Sequence, residues 1–344
     1  MTYEAVAFAD LPGWADDDHG AAMGAFRHSL DRLQRAFPGL PAPGDTSPRH
    51  YFEAHFEPHR VIADNGTGEH TSSGLFTGYY EPVLRGSRQR SAHFPTPLLR
   101  RPDDLVTLCD DSLRASAGAA PTHARRTPAG LEPYPTRQAI EQGCLDGQGL
   151  ELLYLQCPVD AFFLHVQGSG LIELDDGNPI RVGYAAKNGH PYMSIGKALI
   201  ADGAITAEDM SLQTLAAWLR SDPDRARRTM WRNPSYIFFK EIGNAASVSA
   251  TGVDAITLTP GRSLAVDASI HAIGLPVFMT IEDLPGTSAP SRRLMVAQDA
   301  GSAIRGSVRA DIFYGTGDEA GALAGRTKHT GNMFVLLPCA GRAA

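Results

Sequence analysis

Apolar residues recur at Met23, Phe26, Leu30, Leu33 and Phe37, in steps of three and four that line up one helical stripe, and Pro38 with Gly39 stops it. The stretch 12–60 therefore reads as mostly helical. From Gly74 the period changes. The run L-F-T-G-Y-Y-E-P-V-L is short, aromatic and bounded by glycine and proline, as a strand is, with Tyr79 and Tyr80 on opposite faces. Between about 102 and 136, Ala, Pro, Arg and Ser follow one another without a period, which reads as a long connection and a domain boundary.

Beyond it, P-T-R-Q-A-I-E-Q-G predicts a short helix stopped by Gly143. Residues 162–184 alternate about the turn D-D-G-N and read as a hairpin. Ser194 caps a helix that Gly203 ends, Thr206 and Asp209 have the spacing of a capping box, and Asp222 before Pro223 opens another helix closed by Asn233 and Pro234. From Tyr236 onward the texture is strands, at 236–239, 263–267, 276–281, 292–299, 310–314 and 332–338, each set off by glycine or proline. Six such strands suggest a small closed barrel, which leaves no free edge. The strand after Gly74 fits the same barrel, which makes the middle of the chain an insertion. The reading is mainly β with α: one domain from 1–102 and 236–344, and a second inserted at 103–235.

Composition adds exclusions. A chain of 344 residues, 43% hydrophobic, suggests two domains with ample core. A net charge of -7 argues against a nucleic-acid partner, and the short run Arg225, Arg227, Arg228 reads as a solvated helix face. No segment approaches the ~18 apolar residues of a membrane-spanning helix. The N-terminus lacks a basic stretch followed by an apolar one, so a signal peptide is absent or removed. Cys109, Cys144, Cys157 and Cys339 include no C-x-x-C pair; Cys144 and Cys157 form either a disulfide or free thiols. His165, His190, His271 and His329 make no metal-ligand spacing, and G-S-G and G-T-G lack the Lys-Ser or Lys-Thr of a phosphate loop. No metal or other cofactor is expected.

Three aspartates stand among glycines near the C-terminus: Asp299 in Q-D-A-G-S-A, Asp311 in R-A-D-I-F-Y-G and Asp318 in G-T-G-D-E-A-G. An acid that delivers a proton near neutral pH needs an apolar setting that raises its pKa. Asp311, followed by Ile312, Phe313 and Tyr314, fits, although an aspartate before a strand also fits a turn. Asp299 reads equally as a helper near the acid or as structural, with small residues behind it, Gly301 among them, that permit close approach. Asp318 reads as a helix N-cap.

Several motifs, T-G-Y-Y-E-P (77–82), V-Q-G-S-G (166–170), Y-A-A-K-N-G-H-P-Y (184–192) and S-I-G-K-A-L-I (194–200), resemble the membrane-bound lytic murein transglycosylases of the A type. L-A-V-D-A-S-I-H-A-I-G-L-P-V-F-M and the three-aspartate tail resemble their C-terminal 3D domain, so the resemblance runs from about Phe8 to Pro338. It implies a double-psi β-barrel with an inserted second β-rich domain and a groove between them for a peptidoglycan glycan strand. It also implies cleavage of the MurNAc–GlcNAc β-1,4 bond without water, leaving a 1,6-anhydro end, with the family's single catalytic aspartate falling on Asp311.

Substrate contacts are expected from Thr77, Gly78, Tyr79, Tyr80, Gln167, Gly168, Ser169, Lys187, Asn188, Asp299 and Gly301. Packing in the core, a hairpin turn or plain exposure explains several of these as well. Glu81 is given no catalytic role. The rival readings are a hydrolase with a second carboxylate and a non-catalytic glycan-binding barrel. A monomer is expected, and the substrate and the resemblance imply the periplasm or the outer membrane, although the family's lipid-bearing cysteine has no counterpart before Cys109.

Overall fold

The computed structural model describes residues 1–64, 70–108, 122–244, 249–286, 290–301 and 303–339. They form two units, one from Met1–Tyr80 with Ser249–Ala344 and one from Glu81–Val248.

In the first unit six strands close on themselves. Taken round the ring they are Ser73–Glu81, Lys328–Pro338, Pro276–Ile281, Ser291–Ala300, Ser263–Val266 and Arg309–Thr316, the last returning to Ser73–Glu81. Ser263–Val266 runs parallel to Ser291–Ala300, and the neighbouring pairs Ser263–Val266 with Arg309–Thr316, Pro276–Ile281 with Ser291–Ala300, and Lys328–Pro338 with Ser73–Glu81 are antiparallel. Closure satisfies the backbone of every barrel strand without an open edge. Phe56–Asp64 and Thr2–Ala5 extend the sheet outward from Lys328–Pro338.

The strands Ser263–Val266 and Pro276–Ile281 are buried at every position. Such strands lack hydrophobic alternation because both faces are covered. The outer cover comes from the N-terminal segment: Trp14 meets Phe278 edge-on at 5.4 Å, and Phe26, Leu33, Tyr51, Phe52 and Phe56 join the barrel's core. Gln298, fully buried, fastens helix to barrel, donating to Ala25 O (2.7 Å) while its own oxygen accepts from Ser263 Oγ (2.6 Å). Gly331 faces Gly74 in register, and a Cβ at Gly74 would lie 1.7 Å from Val308 O. Only glycine admits that approach.

The expected single N-terminal helix is two, His19–Arg27 and Leu30–Ala36, with Met23, Phe26 and Leu33 buried. The strand expected at 236–239 is real but is not a barrel strand. Ile237–Asn244 hydrogen-bonds to Pro179–Lys187 in the second unit, and Ser73–Glu81 is the sixth barrel strand. The unit borders therefore fall at 80/81 and 248/249, where the sequence reading drew them at 102/103 and 235/236.

The second unit is built on a six-stranded sheet in the order Ile237–Asn244, Pro179–Lys187, Ser169–Leu174, Val83–Ser87, Glu151–Leu155, Thr96–Leu99. Leu98, Leu153, Leu155, Leu164, Ile172, Val182 and Phe239 form its core. The aperiodic stretch 102–136 holds a three-stranded sheet of Leu105–Thr107, His123–Thr127 and Gly130–Pro133; the part of it at 109–121, with Cys109, lies outside the described residues.

Helix Pro158–Gln167 replaces the first half of the expected 162–184 hairpin, which survives as Ser169–Leu174 against Pro179–Lys187. Cys144 and Cys157 are free thiols, which removes the disulfide alternative. Ser194 caps Ile195–Ala201 and Asp222 caps Pro223–Met230 as read from sequence. Thr206 Oγ1 accepts from the Asp209 N–H and donates to Asp209 Oδ2, so only the first bond of a capping box forms, on a turn, and the helix itself starts at Leu212 under Ser211.

Candidate active site

The barrel register brings two of the three aspartates onto one row. Ala265 pairs with Asp299 on one side and with Asp311 on the other. With strands spaced ~4.8 Å apart, the two aspartates stand two strand spacings from each other across a single methyl group. Both are half-buried.

Asp311 is held from the Ser73–Glu81 strand. Thr77 Oγ1 donates to its Oδ1 at 2.6 Å, and Arg309 Nη2 donates in turn to Thr77 Oγ1 at 2.7 Å. Burial raises the Asp311 carboxyl above the ordinary carboxylate range, against the Thr77 hydrogen bond and the Arg309 charge, which pull it down. Burial pushes Asp299 up to about 6; the Asp311 charge adds to the rise, and the Ala300 N–H, at 2.9 Å from Oδ1, opposes it. A desolvated carboxyl with an anionic neighbour favours its neutral form.

Tyr79 packs its ring against Phe313 at 5.2 Å. Its buried hydroxyl makes no hydrogen bond of ordinary geometry to a described residue, yet lies near enough to Asp299 for each to perturb the other's titration. Tyr80 points to the other face, onto Gly321 of helix Asp318–Arg326. A Cβ at Gly78 would lie 2.6 Å from the Tyr314 ring and 2.8 Å from Ala324 Cα, so this glycine serves packing between strand and helix. Gly301 faces Ile304 in the same way. Asp318 is not the helix cap expected of it: Gly317 holds that position, and Asp318 is the first helical residue. An acid in the first turn still interacts favourably with the helix dipole.

The remaining predicted contacts lie in the second unit. Gly168 is the left-handed C-cap of helix Pro158–Gln167 (φ 82°) with open space where a Cβ would stand, and strand Ser169–Leu174 starts at once after it. The V-Q-G-S-G glycine thus ends a helix and is no hairpin turn. Lys187 ends the strand Pro179–Lys187, half-buried, near His123, whose imidazole falls to about 4 through burial and the charges of Lys187 and Arg101.

Asn188 does not fit the contact role. It is fully buried, its amide nitrogen donates to Pro135 O and Pro234 O at 2.9 Å each, and its oxygen accepts from Tyr236 N. Glu81, read as non-catalytic, is 0% exposed and takes both of its oxygens to Arg181 Nε at 2.9 and 3.2 Å. Sequence reasoning missed Arg309. Its place two residues before Asp311 on a strand puts the two side chains on one face, and that spacing was the available signal.

Residues 75–240 match the MltA specific insert domain and residues 262–337 the 3D domain. A membrane-bound lytic murein transglycosylase A from Vibrio cholerae is 34% identical over 280 residues, covering 80% of this chain and 68% of that protein. The crystal structure of a membrane-bound lytic murein transglycosylase from Agrobacterium tumefaciens is 34% identical with a TM-score of 0.85, covering 98% of both chains. That of Escherichia coli MltA with bound chitohexaose is 27% identical with a TM-score of 0.71, covering 98% of this chain and 92% of the other. The chain belongs to the membrane-bound lytic murein transglycosylase A family.

Proposed function

We propose that the protein cleaves the MurNAc–GlcNAc β-1,4 bond of peptidoglycan glycan strands by lytic transglycosylation, with Asp311 as the one acid and base. The observation that carries the reading is a half-buried carboxyl raised above its ordinary range, fixed at one oxygen by Thr77 and lying on a row of small and polar barrel residues. A relative's complex with chitohexaose, an oligosaccharide, supports a glycan as ligand. The substrate places the activity in the cell envelope; among the described residues no helix is long and apolar enough to cross a membrane.

In this mechanism neutral Asp311 gives its proton to the leaving O4 as the C1–O4 bond breaks. The C6 hydroxyl of the same sugar then closes on C1, and the Asp311 carboxylate takes the hydroxyl proton. One bond to C1 is lost and one gained, the acid ends as it began, and no water is consumed. An intramolecular nucleophile has a very high effective concentration, so a second carboxylate to activate water is unnecessary. Among the second-unit residues, Gln167, Gly168, Ser169 and Lys187 remain candidates for sugar or stem-peptide contact, as do Thr77 and Tyr79 in the barrel.

The register across Ala265 gives a second reading its footing. Asp299 stands where a partner carboxylate would make an ordinary hydrolase, which needs two acids flanking the bond. Products decide. Digestion of purified sacculi followed by mass spectrometry is expected to give fragments ending in 1,6-anhydro sugars; fragments ending in reducing sugars, one water heavier, would establish the hydrolase instead.

A further inference from the structure

We propose that Arg309 is a positioning residue that, acting through the Thr77 hydroxyl, settles which oxygen of Asp311 carries the reactive proton. The inference rests on the reading of Asp311 as the acid. A threonine hydroxyl has one hydrogen and two lone pairs, and a guanidinium has only donors. Arg309 Nη2 sits 2.7 Å from Thr77 Oγ1 and occupies the hydroxyl's acceptor side. The single hydroxyl hydrogen is thereby directed to Asp311 Oδ1, 2.6 Å away. Oδ1 is then a standing acceptor, and the carboxyl proton belongs on Oδ2, the oxygen Thr77 leaves free. A cation behind the hydroxyl also strengthens it as a donor.

Arg309 is itself fixed. Its Nη1 donates to Leu75 O at 3.3 Å and Ala310 O at 2.5 Å, so the guanidinium is fastened to the two strands that carry Thr77 and Asp311. Without it, the hydroxyl is free to turn and accept from a protonated Oδ1, and the proton divides between two positions, one of them facing protein. The other titratable groups about Asp311 are Asp299 beyond Ala265, Tyr79 on the Ser73–Glu81 strand and Tyr314 on its own strand, while Lys328 pairs with Thr77 in register. Among the described residues none of these hydrogen-bonds to the Thr77 hydroxyl, whereas Arg309 does and so orients it.

The test is a double-mutant cycle on glycan strands from purified sacculi, reading kcat, KM and the pH profile. Arg309→Met is expected to lower kcat roughly tenfold with KM within about twofold, because only proton placement is disturbed. Its alkaline limb is expected to move to higher pH by about one unit, since loss of the cation and release of the hydroxyl both favour the neutral carboxyl. Arg309→Lys, which keeps a donor and a charge, is expected to retain kcat within about threefold. In a Thr77→Val background Arg309→Met is expected to cost less than about twofold more, because its route is already cut. Parent-like kcat and pH profile in Arg309→Met, an equal loss with and without Thr77, or a loss in Arg309→Lys as deep as in Arg309→Met would each overturn the proposal. Asp311→Asn assayed alongside separates the two claims: activity there removes the acid reading itself, whereas its absence together with an additive cycle removes only the role of Arg309.

Discussion

Asp299 and Asp311 show how a barrel row makes two chemically similar residues differ. Asp311 accepts from a neutral hydroxyl backed by a cation, whereas Asp299 accepts from a backbone N–H and lies beside the buried Tyr79 hydroxyl. The consequence for stability has a definite sign. A folded pKa of about 6 lies above the ~3.9 of an unfolded aspartate. The unfolded chain therefore holds the charge more easily, and the contribution of Asp299 is most favourable below pH ~4 and is lost as pH rises through about 6. Asp299→Asn is expected to be more stable than the parent at pH 8, on the order of 2 kcal/mol, with the gap shrinking as pH falls from 6 to 4. Thermal unfolding across that range checks it; a gap that does not change with pH would contradict the assignment.

Among the elements, the barrel strands were legible because glycine and proline separate short β-branched and aromatic runs. Three features were not. The run F-F-L-H-V-Q is apolar enough for either period, and it became a helix because Gly168 supplies a left-handed cap directly after it. Ile237–Asn244 looks like its neighbours in sequence, but strand pairing depends on partners some 50 residues away, which local pattern does not reveal. Asn188 reads as a turn residue, yet its neighbours in space, the carbonyls of Pro135 and Pro234, claim its amide. The pair of Glu81 with Arg181 belongs at this scale too, since within the second unit it ties the unit's first residue to the Pro179–Lys187 strand. Arg181→Leu is expected to destabilise the protein by about 3–5 kcal/mol, because the fully buried Glu81 loses the cation that bonds both of its oxygens. Adding Glu81→Leu is expected to restore much of the loss. Urea unfolding of the two variants measures both; equal stability of single and double variants would show that the pair matters little.

On the scale of the whole molecule, the chain divides into a discontinuous barrel and a continuous unit with its own sheets and helical cores. The second unit holds both members of the Glu81–Arg181 pair and places its buried Arg137 against the rings of Phe162 and Tyr236, all within 81–248. A fragment of residues 81–248 is accordingly expected to unfold in one cooperative thermal transition, and a broad featureless melt would count against its independence. The family matches follow the same division, with the insert domain over 75–240 and the 3D domain over 262–337, and the proposed acid lies in the second of these. The account depends most on that acid. The measurement that bears on it most directly is release of soluble muropeptides from purified sacculi by Asp311→Asn, with binding to the sacculi measured in the same preparation. The expected result is binding close to that of the parent and release reduced by at least roughly a thousandfold; release within tenfold of the parent would contradict it.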